Sequence, residues 1–210
     1  MDKDESWRVI DAHRQLVADL LEGLGEEQWQ AASLCEGWRV QDVGAHLSLA
    51  ATTGLGESLG YAVRARFDFN RMIDLATRER GRRPRDQVVA DLRGIVGSRH
   101  LAPSTMWRDP LLDVLVHSQD IARPLGIDVP LPAEAAREAA EWAWRRHFPF
   151  FPAKRLGGVR LVATDIDWER GDGAELRGPV AALLLLSTGR YAALPDVEGP
   201  GCDVLEARVA

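Results

Sequence analysis

Apolar residues recur at spacings of three, four and seven through the first segment of the chain, at Val9, Leu16, Val17, Leu20, Leu21 and Leu24. That period commits the segment to a helix with one buried face. Gly23 and Gly25 predict where it stops. The helical texture then persists. The spacing predicts a second helix from about Val40 into the 50s, weakened at its end by Gly54, Gly56 and Gly60, then a charged helix over 61–80. GRRP at 81–84 breaks it, with Pro84 placed for the first turn of a helix over 85–99. Asp109-Pro110 reads as an N-cap and first-turn proline opening a helix that ends near Gly126, and Pro132 opens one more, to about His147. After FPFFP at 148–152 the pattern changes. VRLVAT at 159–164 alternates as a half-buried strand does, GDG at 171–173 marks a turn, Pro179 starts a short apolar helix, and CDVLEARV at 202–209 reads as a last strand. The expected fold is mainly α: a helical bundle over 1–150, then a small α+β domain over 151–210.

A length of 210 residues is enough for such a core without staples, and the net charge of −6 argues against a nucleic-acid partner. Cys35 and Cys202 are too few for a disulfide framework and read as reduced thiols. The N-terminus MDKDESWRVIDAHRQ has no apolar signal core. The longest apolar run, Val180 to Leu186, falls far short of the roughly 20 residues a membrane helix needs. A cytoplasmic monomer is expected, with no membrane partner and no heptad seam. Only Lys3 and Lys154 are lysines among 26 basic residues, the bias of a GC-rich bacterial genome.

Of five histidines, His13, His100 and His147 lie near charged or terminal positions and read as solvated or capping residues. His46 and His117 lie in apolar helical stretches. Asp113 precedes His117 by four residues, so both share a helix face and can converge on one divalent ion, or simply pair with each other. Asp120, three residues on, either accepts a hydrogen bond from His117 or is solvated. Cys35 reads as a small buried hydrophobe, Trp38 as a core anchor, and Arg78–Arg85 as a solvated face or turn.

CEGWRVQDVGAHL at 35–47 resembles the C-x-G-W-x-V-x-D-V-x-A-H-L signature of the mycothiol-dependent maleylpyruvate isomerase family, whose first domain is a DinB-like four-helix bundle. DVLVHSQDIARPLG at 113–126 resembles its second motif, and LVATDIDWERGDGAELRGPVAALLLLSTGR at 161–190 its small C-terminal α+β domain. The resemblance implies a divalent metal, usually zinc, held by His46, Asp113 and His117, with mycothiol as cosubstrate. It implies a thiolate, held at the metal, that attacks a small electrophile in an isomerase or S-transferase reaction. Arg190, in LSTGR, is the candidate for an anionic group of substrate or thiol, against a plain role at a helix C-terminus. Two positions depart from the pattern: Asp113 stands where the isomerases have Glu, and Arg39 where a capping Thr is frequent. Two rival classes remain open, a metal-dependent hydrolase with Asp120 as base and a non-catalytic small-ligand-binding protein.

Overall fold

The computed structural model describes residues 1–102, 105–146 and 148–209; His147 lies outside the described residues. The chain divides into two units, Lys3–Val129 and Pro130–Ala210 with Met1–Asp2. The leading amphipathic segment forms α1 (Lys3–Glu22), and Gly23 closes it by donating to the carbonyls of Asp19 and Leu20. Its buried face is Trp7, Ile10, Arg14, Val17 and Leu21, at alternating spacings of three and four. Val9, Leu16, Leu20 and Leu24 flank that face half-buried rather than forming it. The stripe is displaced because Arg14 can be buried: its Nη1 donates to the carbonyls of Ile95 and Ser98 at 2.8 and 3.1 Å. His13 is buried as well, against the expectation of a solvated residue; its Nδ1 is paired with the Val9 carbonyl at 3.1 Å, and burial pulls its pKa down.

After the short α2 (Glu26–Gln30) comes α3 (Val40–Thr52), buried on nearly every side. The segment expected as one helix over 61–80 is two, α4 (Leu55–Arg64) and α5 (Phe69–Arg80). Arg66 and Phe67 take positive φ values of 57° and 61° between them, and Asp68 then caps α5 by accepting from the Arg71 N–H at 2.8 Å. Next, α6 (Arg85–Gly94) stops short of residue 99. The carbonyls of Ile95 and Ser98 are taken by Arg14, and Gly97 sits at φ 82°. The α7 helix (Asp109–Ala122) follows, continued by a 3-10 turn that ends on Gly126 at φ 67°. Helices α1, α6, α3 and α7 close a ring in which each packs on its two neighbours, α5 lies against α3, and α4 lies on α5. This is the expected four-helix bundle. Arg39 indeed supplies no side-chain cap to α3; Asp42 compensates, accepting from the Arg39 backbone N–H at 2.9 Å and pairing with its guanidinium at 2.8 Å.

In the second unit, α8 (Ala133–Arg146) buries Ala135, Ala136, Ala139, Ala140 and Ala143 and packs through that small-residue face on α10 (Val180–Ser187), which is buried almost all round. A single turn, α9 (Pro152–Arg155), leads into a three-stranded sheet of order β2-β1-β3. Strand β1 (Gly158–Ala163) pairs antiparallel with β2 (Glu169–Gly171) and parallel with β3 (Gly173–Gly178). GDG is thus a crossover and not a hairpin turn: the chain passes from one side of β1 to the other within one residue. The terminal segment is a helix, α11 (Gly201–Val209), and not the expected strand. Its buried positions, Gly201 and Leu205, are four apart, the helical repeat, and it covers β1 and β3. No described helix is long and apolar enough to cross a membrane.

The crossover makes Gly173 the most constrained residue of the sheet. It has φ 121°, and a Cβ there would lie 2.2 Å from the Gly158 carbonyl oxygen. Gly173→Ala is expected to cost about 3 kcal/mol or more in denaturant unfolding, since backbone strain adds to a clash that no side chain can relieve. Gly158→Ala, at φ 80° with nothing nearer than 3.8 Å, should cost only about 1 kcal/mol.

Candidate metal centre

The sequence brings three side chains to one point by two routes. Asp113 and His117 share a face of α7 because they are four apart. His46, on α3, meets them because α3 and α7 are neighbours in the bundle. Asp113 Oδ1 lies 3.4 Å from His46 Nε2 and 3.3 Å from His117 Nε2, and the two rings are 4.8 Å apart. The three donor atoms fall within 4.8 Å of one another. Asp113 keeps 29% of its side chain exposed, against 13% and 11% for the imidazoles, so the cluster opens on the carboxylate side.

Each imidazole is held from behind. His46 Nδ1 lies 3.0 Å from Thr77 Oγ1 on α5, and His117 Nδ1 lies 2.7 Å from Asp120 Oδ2. With a proton on each Nδ1, both Nε2 lone pairs face Asp113. This is the arrangement a divalent cation requires: two imidazole nitrogens and a carboxylate oxygen converging, with acceptors behind the rings that fix tautomer and orientation. The shorter Asp113, in place of Glu, still reaches both nitrogens. Burial pushes the Asp113 carboxyl up, but the imidazoles of His46 and His117 outweigh it and hold the group far below the ordinary carboxylate range. Burial likewise pulls His117 down. Its neighbours Cys35, Asp113 and Asp120 outweigh that and hold it well above its ordinary value, with the two carboxylates at 3.3 and 2.7 Å.

The CEGW motif supplies the adjoining wall. Trp38 N–H donates to the Cys35 carbonyl at 3.0 Å, closing a turn with Gly37 at φ 75°, a backbone that favours glycine. The turn presents the Trp38 ring 5.1 Å from that of His46 and 6.4 Å from that of His117, while its Nε1 donates to Asp74 at 2.9 Å. Trp38 is therefore a half-buried wall of the cluster more than a core anchor. Cys35 is not an isolated hydrophobe: its Sγ lies 3.1 Å from Asp120 Oδ2 and 3.7 Å from His117 Nδ1. Sequence reasoning missed Thr77, Trp38 and Cys35 as parts of the site. The CEGW spacing carried a signal for two of them; nothing marks Thr77, a lone hydroxyl on a charged helix. Asp120 is fully buried against His117. Arg190 belongs to the second unit, half-buried, with Nη1 donating to the Thr188 carbonyl at 2.8 Å.

Fold and site together define a helical-bundle protein with a candidate metal centre built between facing helices. Residues 10–110 match the family model of the mycothiol maleylpyruvate isomerase N-terminal domain. Two solved structures share the fold. One is a crystal structure of the mycothiol-dependent maleylpyruvate isomerase carrying a histidine-to-alanine substitution, with a TM-score of 0.67 at 14% identity, covering 95% of this chain and 93% of that one. The other is a crystal structure of the mycothiol-dependent maleylpyruvate isomerase, with a TM-score of 0.61 at 16% identity and the same coverage of both chains. No curated protein matches the chain.

Proposed function

We propose that this protein is a metal-dependent, thiol-using enzyme, an isomerase or S-transferase acting on a small electrophile, with zinc as the metal and mycothiol as the thiol. The observation that carries the reading is the convergence of His46 Nε2, Asp113 Oδ1 and His117 Nε2 while both Nδ1 atoms are taken up by Thr77 and Asp120. A divalent cation bound there would lower the pKa of a coordinated thiol, so that a thiolate is present near neutral pH. His46, Asp113 and His117 would hold the cation; Thr77 and Asp120 keep the rings aimed; Trp38 shields one side of them. The exposed edge of Asp113 is the side from which thiol and substrate approach. Asp120, buried and already accepting from His117, serves to position that ring and is poorly placed as a hydrolytic base.

In the isomerase version the thiolate adds to a cis double bond conjugated to a carbonyl. The new single bond rotates, and expulsion of the thiolate restores the double bond as trans, with no net change in atoms. In the transferase version the new C–S bond is kept and the leaving group departs. The proposed partner of an anionic group on substrate or thiol is Arg190, by its place in the family-like LSTGR segment.

Metal content, then turnover of maleylpyruvate with and without mycothiol, tests the reading. About one zinc per chain and strict thiol dependence are expected, with Arg190→Lys raising KM while metal content stays unchanged. Turnover without thiol would move the assignment to hydrolysis. Wild-type protein that zinc neither loads nor stabilises would end the catalytic reading.

A further inference from the structure

We propose that Cys35 is a positioning residue for His117, acting through Asp120. This rests on His117 being a metal ligand. Asp120 has no exposed surface, and its Oδ2 accepts from His117 Nδ1 at 2.7 Å. An ionised carboxylate can only accept, so the Cys35 thiol at 3.1 Å is the donor in their contact. One oxygen thus takes an N–H and an S–H, and the three groups form a triangle whose third side, Cys35 Sγ to His117 Nδ1, is 3.7 Å. The sulfur is held where it is by the loop before α3. Leu34 N–H donates to the Asp120 carbonyl at 3.1 Å, Ser33 Oγ accepts from the Cys35 N–H at 3.1 Å and donates to the Trp38 carbonyl at 2.9 Å, and the Gly37 turn closes the unit. Loop 33–38 therefore grips Asp120 by both its backbone and its side chain. A carboxylate buried this deeply must have its oxygens satisfied. With the thiol in place, Oδ2 is fixed in both position and acceptor direction, and so is the plane of His117. Without it, Oδ2 loses one of its two donors, and the imidazole loses part of the constraint that aims Nε2 at Asp113.

The test compares wild type with Cys35→Ala, which removes the donor, and Cys35→Ser, which keeps one. Zinc affinity is read by chelator competition, the cobalt-substituted forms by visible and near-ultraviolet absorption, and the His117 Nδ1–H proton of the metal-free proteins by NMR. Cys35→Ala is expected to bind zinc about tenfold more weakly and Cys35→Ser to stay within about threefold of wild type, the scale for an outer partner of a metal-ligating histidine. The Nδ1–H resonance should persist in wild type and Cys35→Ser and broaden in Cys35→Ala. Three results would overturn the proposal: zinc binding and Nδ1–H signal unchanged in Cys35→Ala; equal loss in both variants, which would make sulfur's bulk the cause; or a thiolate-to-cobalt charge-transfer band in wild type that both variants lose, which would make Cys35 a ligand in its own right with His117 and Asp120. Wild type that takes up no metal would end the metal reading alone, because the NMR comparison still decides whether Cys35 holds His117.

Discussion

His117→Ala is expected to lose bound metal and to weaken the metal-free fold, whereas His46→Ala loses the metal at a much smaller cost in stability. Both remove one of three donor atoms, so metal affinity should fall beyond the 10–100-fold that loss of an outer partner produces. The difference lies in what each ring leaves behind. His117 sits between two carboxylates, Asp113 at 3.3 Å and Asp120 at 2.7 Å, and Asp120 has no access to solvent. Its removal breaks a buried pair with Asp120, which costs about 3–5 kcal/mol. His46 leaves behind the buried Thr77 hydroxyl, 3.0 Å away, and an Asp113 that is 29% exposed, at a cost of about 1–2 kcal/mol. Metal analysis and denaturant unfolding in the presence of a chelator read the two effects separately. Stoichiometric metal in either variant would remove that histidine from the ligand set. Equal stabilities would mean that Asp120 does not depend on His117.

The bundle was legible because its period is strong and its punctuation explicit: Gly23 ends α1, Pro84 precedes α6 and Pro110 sits in the first turn of α7. The errors share one cause, which is that side chains distant in sequence decide local backbone. Arg14 reaches across from α1 to the carbonyls after α6 and ends that helix early. The terminal segment carries both a two-residue alternation and a four-residue repeat, and only the surface it covers, β1 and β3, selects the helix. Asp113 and His117 could be read from spacing because one helix holds both. His46 required the resemblance, since nothing local says which helix faces α7. Thr77 lay beyond reach, because it matters only through an imidazole 31 positions away; Cys35 was flagged by the CEGW spacing, but its partners, Asp120 and His117, lie more than 80 positions on.

The pH dependence of metal binding follows from the two perturbed groups, and its sign separates metal-free from loaded protein. In the metal-free state His117 is held protonated between Asp113 and Asp120, and Asp113 is held ionised by the imidazoles beside it. The raised His117 contributes stability that is fully present below its unfolded pKa of about 6.5 and is lost as pH rises through the folded value. The depressed Asp113 contributes stability present above its unfolded pKa of about 3.9 and lost as pH falls through the folded value. These two groups therefore favour the metal-free fold most between about pH 4 and 6.5. Coordination by Nε2 needs the neutral ring, so uptake of a cation must expel the His117 proton. Zinc affinity should rise with pH by about tenfold per unit for each proton expelled, and the increase in Tm on adding zinc should be larger at pH 8 than at pH 6. Titration calorimetry in buffers of different ionisation enthalpy counts the protons directly, and about one per metal is expected near neutral pH. Uptake without proton release would show that His117 is already neutral in the metal-free protein, and that Asp120 and Asp113 set the ring's direction without setting its charge.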